Sequence, residues 1–219
     1  NHTNSIFRLV NSNLMFTHKH PLTKKLLIIY LLVVGGFLSI TFMLLRFIGP
    51  VSTSKLPGMP IDSLNSIPVY YNGDIHHVGK EITAANGYVL GVEWQCVEFV
   101  KRYYFIRFNH IMPNSSGNAK DFFDKQLSDA SYNYARELVQ YANPSLKQPA
   151  VEDIIVFDGS LLNNYGHIAI ISAVSEDHIE IIQQNGGPDA PSRIKLDLVF
   201  ENSRWEVKHK RVLGWLRIE

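Results

Sequence analysis

Cysteine is nearly absent: the 219 residues contain one, Cys96. A single thiol excludes an internal disulfide and any CxxC metal knuckle. Charge of one sign is lacking too. Twenty-one Lys and Arg stand against 20 Asp and Glu, with no Arg-rich stripe, so the composition does not point to nucleic acid as a partner. The apolar fraction of 46% is ordinary, and apart from its N-terminal segment the chain suits one globular domain with a proper core. Clusters of metal-ligating residues are sparse as well. Only His76-His77, near Asp74, suggests an ion, and adjacent residues of an extended segment point to opposite faces. A metal site there is therefore disfavoured.

One long apolar run is present. Leu26 to Leu45 carries no charge and has about the 20 residues that span a bilayer core as a helix. Lys19, Lys24 and Lys25 precede it, and Arg46 alone follows closely. The basic bias predicts a cytoplasmic N-terminal segment (1–22), a transmembrane anchor (23–48) and everything after it outside. A cleaved signal peptide fits less well, because no small-x-small site follows promptly. Residues 49–68, with Pro50, Pro57, Pro60 and Pro68, read as a tether. Residues 69–219 are then the functional domain.

Within that domain Cys96 opens a helix. Glu98, Lys101 and Arg102 recur at helical spacing, and Val97, Phe99, Val100, Tyr103, Tyr104 and Ile106 make the rest largely buried. Glu98 and Arg102 are placed for an ion pair. A thiol in the first turn feels unpaired N–H groups and the positive end of the helix dipole, which favour the nucleophilic thiolate. An inert core thiol is equally compatible with position alone. A helix is expected over Lys120 to Leu127 and another helical piece over Tyr132 to Tyr141. The period then changes to strands at 153–157, 166–174, 178–184 and 211–218, with another at 193–198. Helices followed by strands predict an α+β domain whose helices pack on one face of an antiparallel sheet.

If Ser175-Glu176-Asp177 is a hairpin loop, Val174 pairs with His178, Ala169 with Gln183 and His167 with Asn185. That sets an imidazole opposite one carboxamide and diagonal to another. Small Ala169 and Ala173 on the same face would admit a helix there. A cysteine at a helix start, a histidine on a strand and an amide to orient it can act as nucleophile, base and orienting group in acyl transfer. The Cys96 N–H and the Gln95 side chain are a candidate oxyanion hole.

These residues also carry a family resemblance. Trp94-Gln-Cys-Val-Glu-Phe99 with Lys101-Arg102 resembles the nucleophile helix of the CHAP amidase family, above all the amidase domain of glutathionylspermidine and trypanothione synthetases. The likeness continues through Gly117-Asn-Ala119, Pro149 to Phe157, Gly166-His-Ile-Ala169, Gln183-Gln-Asn185 and Leu213-Gly-Trp215. It implies a papain-like cysteine amidase fold and an amidase or peptidase without metal or organic cofactor, with Cys96 as nucleophile, His167 as base and Asn185 as a further polar active-site residue. Gln183 falls where the family usually has Glu, and Glu152-Asp153 where Gly-Asp is usual. A neutral amide orients the imidazole without stabilising imidazolium, so lower activity or a shifted pH optimum is expected.

Three functions follow as expectations. The first is a membrane-anchored amidase or endopeptidase acting on peptidoglycan outside a bacterial inner membrane. The second is an amidase for peptide–polyamine conjugates such as glutathionylspermidine, which an outward-facing domain disfavours. The third is a non-catalytic wall-binding module. Asn114-Ser-Ser116 is a formal glycosylation sequon and would matter in an organism without peptidoglycan. The loops 109–119 and 186–192 are expected to border the cleft.

Overall fold

The computed structural model describes residues 21–47, 55–73, 78–114, 116–187 and 189–219. The His76-His77 pair, Ser115 of the sequon, the segment before Pro21 and the start of the expected tether lie outside the described residues. The chain divides into two units, Asn1–Ser54 and Lys55–Glu219.

In the first unit a single helix, α1 (Pro21–Phe47), covers the apolar run. Its stretch Lys24–Met43 has a mean hydropathy of 2.5, enough by length and composition for a membrane span or a signal sequence. The two hydroxyls in the run do not interrupt it. Ser39 donates to the Gly35 carbonyl and Thr41 to the Phe37 carbonyl, so neither needs an outside partner.

The second unit starts earlier than expected. Strands β1 (Pro60–Leu64) and β2 (Ile67–Tyr70) form a hairpin inside the stretch read as tether. Asn65 and Ser66, at φ 49° and 64°, make the two-residue turn, and the left-handed conformation suits the twist of the flanking strands. Proline frequency suggested a linker, but Ile67 and Val69 are buried against the core and fold this stretch. A second hairpin, β3 (Glu81–Thr83) and β4 (Val89–Val92), turns through Asn86-Gly87, with Gly87 at φ 86°.

Helix α2 (Cys96–Phe108) begins at the cysteine, as its periodicity predicts. It stops at Asn109, which takes the left-handed conformation and donates its N–H to the Tyr104 carbonyl. Phe99, Val100, Tyr103 and Tyr104 are buried, each aromatic contributing about 1.5–3 kcal/mol of burial. Lys101, expected on the polar face, is buried too. Its stem is covered, its ammonium bonds the Val89 carbonyl, and it sits 4.7 Å from the Tyr88 ring centre.

Both later helices predicted from the sequence are corrected. In place of helix 120–127 there is one 3₁₀ turn, Ala119–Phe122, capped reciprocally by Asn118 and Asp121. Phe123 is already extended, and buried Gln140 takes both backbone groups of Asp124, which stops the helix. In place of helix 132–141 stand β5 (Ser131–Asn133) and β6 (Leu138–Ala142). Glu137, at φ 53°, turns the chain between them, and pairing with the C-terminal strand overrides the local pattern.

The remaining strands are β7 (Ile154–Phe157), β8 (His167–Val174), β9 (His178–Ile182), β10 (Arg193–Glu201), β11 (Arg204–Val207) and β12 (Val212–Arg217). They join β5 and β6 in an antiparallel sheet ordered β11-β10-β9-β8-β7-β12-β6-β5. Ser145, just after β6, bridges to Trp205 on edge strand β11, so the sheet curls on itself. Both faces are covered. Ile154, Val156, Ile168, Ile170, Ile182 and Leu216 pack with α2, whereas Ile155, Ala169, Ile171, Ile179, Ile181 and Trp215 belong to the core on the other face. This explains the uninterrupted apolar runs of β7 and β8. The architecture is α+β with a large antiparallel sheet and few helices.

Two details of the expected hairpin differ. Val174 pairs with Ile179 and Ala173 with Glu180, one step from the expected register, because the turn is longer. A bulge at Ser172 absorbs the extra residue, and from Ile171↔Ile181 onward the expected register returns. The helix also packs on the face opposite Ala169 and Ala173. Bulky Ile168 and Ile170 meet the aromatic residues of α2, so no small-residue gap is needed.

Candidate active site

The site is assembled where the start of α2 meets the starts and ends of the central strands. Trp94, at φ 62°, turns the chain into the helix, and Gln95 is its N-cap residue. Cys96 follows as the first helical residue and the sole thiol. The backbone N–H groups of Ile168 on β8, of Val97 and of Cys96 lie close enough to its sulfur to favour the thiolate, which sets the thiol against the strand residue next to His167. Cys96, His167, Gln95, Gln183 and Asn185 all line one cleft of about 1020 Å³. That is room for a peptide-sized ligand.

Gly166 lets His167 enter the strand. It sits at φ 76°, and a Cβ there would lie 2.5 Å from the Phe157 carbonyl oxygen and 2.8 Å from Lys120 Cβ. The His167 ring then meets Gln183, with Nε2 2.9 Å from Oε1. The tautomer follows from the other end of the amide. Gln183 Nε2 donates to the Pro191 carbonyl at 3.0 Å, so Oε1 faces the imidazole and must accept. His167 Nε2 therefore carries the proton, and Nδ1 keeps the lone pair a base requires.

The expected His167–Asn185 pair is corrected. Strand β9 ends at Ile182, and Asn185 sits in the left-handed region at φ 53°, outside the ladder. Its Nδ2 donates to Gln95 Oε1 at 2.6 Å, while Gln95 Nε2 donates to Asn72 Oδ1 at 3.3 Å. The diagonal carboxamide, Gln183, holds the imidazole. Asn185 holds Gln95.

Gln184 was missed by sequence reasoning. Fully buried, it donates from Nε2 to Glu98 Oε2 (2.8 Å) and to the Gln95 carbonyl (3.0 Å), and accepts at Oε1 from the Tyr70 N–H (2.8 Å). Glu98 also makes the predicted ion pair with Arg102, which donates onward to the Pro68 carbonyl. Glu152, where Gly was expected, adopts φ 73°, the conformation glycine takes freely. Its Oε1 accepts from Asn65, Tyr103 and Arg107, each at 2.7 Å, tying the β1–β2 turn and α2 to the sheet.

The electrostatics favour neutral groups. Burial pushes the Cys96 thiol up, and the backbone hydrogen bonds at the helix start offset only part of that. Burial pulls His167 down to about 4; the Gln183 bond acts against this, and the Arg211 guanidinium adds to it. At neutral pH the resting pair is thiol and imidazole. Among the described residues no group of three or more His, Cys, Asp or Glu is placed to hold a metal.

Comparison with known proteins finds a family likeness over the site. Residues 85–185 match the CHAP domain, the family whose likeness Trp94 to Phe99 carries. Similar proteins include trypanothione synthetase of Crithidia fasciculata, 26% identical over 166 residues, covering 72% of this chain and 26% of that protein. The bifunctional glutathionylspermidine synthetase/amidase of Escherichia coli (strain K12) is 25% identical over 137 residues, covering 58% of this chain and 22% of that protein. The chain thus spans about a quarter of the length of these relatives. Among solved structures, Ly7917 aligns over 57% of this chain and 53% of that chain, with 17% identity and a TM-score of 0.37.

Proposed function

We propose that this protein is a membrane-anchored cysteine amidohydrolase that cleaves an amide bond in a peptide-like substrate through a thioester. The observation that carries the proposal is the His167–Gln183–Pro191 hydrogen-bond chain, which leaves Nδ1 unprotonated in the cleft that Cys96 also lines. Substrate binding excludes water and lets His167 take the thiol proton. The sulfur attacks the carbonyl carbon, and the oxyanion is met by the Cys96 N–H and the second N–H of Gln95 Nε2. Imidazolium gives its proton to the departing nitrogen as the C–N bond breaks. Water, activated by His167, then hydrolyses the thioester to the free acid. Asn72 and Asn185 hold the Gln95 amide, and Gln183 fixes the imidazole.

Amide hydrolysis is supported by the CHAP match and by a relative whose name includes amidase. A papain-like arrangement is supported by a helix that starts at the cysteine and packs on an antiparallel sheet carrying the histidine. The preferred substrate is peptidoglycan, reached by an outward-facing domain behind the α1 anchor, whose length and hydropathy suit a span. The second reading, a glutathionylspermidine-type amidase, is favoured by the named relatives. Incubating the detergent-solubilised full chain with muropeptides and with glutathionylspermidine separates the two. New free amines from muropeptides, absent in Cys96→Ala, are expected. Turnover of the polyamine conjugate alone would reverse the order, and no turnover of either would leave a binding module.

A further inference from the structure

The cleft is asymmetric in charge. On the wall continuous with His167 lie His209 and Arg211, from the turn before β12. The Phe157 ring links them, with its centre 5.9 Å from the His167 ring and 5.3 Å from the His209 ring. Arg211 has no carboxylate partner among the described residues: its only side-chain bond is a long one, NH1 to the Asp158 carbonyl at 3.5 Å. The Asp158 carboxylate is already engaged by Lys125 Nζ (2.7 Å) and the Gly159 N–H (2.8 Å). Nearby Lys210 and Lys120 add positive charge. The sole acidic side chain lining the cleft among the described residues is Glu81, on β3 in the other wall, within electrostatic range of Lys101.

A half-buried guanidinium whose one side-chain bond is long has donors to spare beside the imidazole, in the planar geometry that pairs with a carboxylate. We infer that the His167 side of the cleft is a carboxylate subsite anchored by Arg211. The part of the substrate released as the amine therefore carries a carboxylate close to the scissile bond. This inference rests on the amidase reading, because the departing nitrogen must lie within hydrogen-bond reach of the imidazole that protonates it, which puts the leaving group on the Arg211 wall. An amino-acid leaving group meets that wall with complementary charge. A polyamine leaving group would bring ammonium groups against a guanidinium, so the subsite favours peptide over polyamine conjugates.

The test separates binding from turnover. The full chain carrying Cys96→Ala is titrated by calorimetry with the stem peptide L-Ala-γ-D-Glu-L-Lys-D-Ala, as the free acid and with every carboxylate amidated. The free acid should bind at least tenfold more tightly. Arg211→Gln in the Cys96→Ala background should abolish that preference, Arg211→Lys should retain part of it, and Lys210→Gln should leave it intact. Equal affinity for the two forms, a preference that survives Arg211→Gln, or no binding of the free acid at millimolar concentration overturns the inference. Hydrolysis of the same peptide by the wild-type chain is read separately, so a failed amidase reading and a failed subsite give different results.

Discussion

Replacing Gln183 with Glu tests how this site is tuned. The carboxylate would take the place of the amide oxygen that lies 2.9 Å from His167 Nε2. A unit charge about 4 Å from the imidazolium, at an effective dielectric constant of about 20, stabilises it by about 4 kcal/mol. Two effects oppose this. Gln183 is buried, so the carboxylate must be desolvated, and the donor to the Pro191 carbonyl at 3.0 Å becomes a second acceptor. Together they cost about 1–3 kcal/mol. The remaining 1–3 kcal/mol would raise His167 by about 1–2 pKa units from its present value of about 4. A larger share of thiolate–imidazolium should follow, with faster turnover. Iodoacetamide labelling against pH reads this at one site, since Cys96 is the only thiol. In Gln183→Glu the reactive limb should extend to lower pH than in wild type. A folded Gln183→Glu whose labelling profile is unmoved and whose turnover is unchanged or lower would refute the reasoning.

Other perturbations have equally definite outcomes. His167→Ala removes the proton acceptor, so labelling of Cys96 should follow the raised pKa of a buried thiol, and any plateau below about pH 8.5 in wild type should vanish. Burial holds His167 at about 4, below its ordinary 6.5, so the unfolded chain takes up this proton first as pH falls. Wild type should lose about 3 kcal/mol of stability between about pH 6.5 and about pH 4, and its urea midpoint should fall over that window relative to that of His167→Gln, which lacks the titration. Gln184→Ala leaves the Tyr70 N–H and Glu98 without their shared partner and should destabilise by about 2–4 kcal/mol in urea unfolding. Glu152→Gly relieves a left-handed backbone worth about 1 kcal/mol but loses three hydrogen bonds, one from Arg107. A net loss of about 1–2 kcal/mol is expected, and a rise in Tm would show that strain dominates.

The parts of the fold that were legible are those where one period dominates. The Cys96 helix was readable because polar Glu98, Lys101 and Arg102 recur at helical spacing within an otherwise apolar run. Strands rich in Ile and Val were readable for the same kind of reason. Tyr132 to Tyr141 was not, because its strands exist through pairing with β12 across the chain. The hairpin register failed only near the turn, where Ser172 bonds to Glu180 and forms a bulge that no alternation rule signals. The face met by α2 was undetermined in His167 to Ile171, since both faces of that strand are apolar and each is covered by a core. At the site, the pairing of His167 with Gln183 was legible as a diagonal neighbour. Gln184 was hidden because a glutamine carries no chemistry that singles it out; its importance comes from the buried acceptors around it.

The neutral resting pair and the weakly bonded Arg211 guanidinium act together. A half-buried thiol above its ordinary pKa and a half-buried imidazole below its own make proton transfer from Cys96 to His167 unfavourable before substrate binds. In a site with Glu at position 183, a fixed carboxylate would lower that barrier permanently. Here the amide supplies orientation alone, and Arg211 acts against protonation of His167. A substrate carboxylate paired with Arg211 would cancel that opposition and add a negative charge on the side where imidazolium forms. The nucleophile would then be generated only with the correct substrate in place, and the thiol would stay unreactive otherwise. This predicts that iodoacetamide labelling of Cys96 in the full-length wild-type chain, below saturation of the cleft, is accelerated at neutral pH by small carboxylates such as acetate and not by the corresponding amide. Arg211→Gln should remove the acceleration, and identical labelling with acetate and acetamide would break the link between the subsite and the nucleophile.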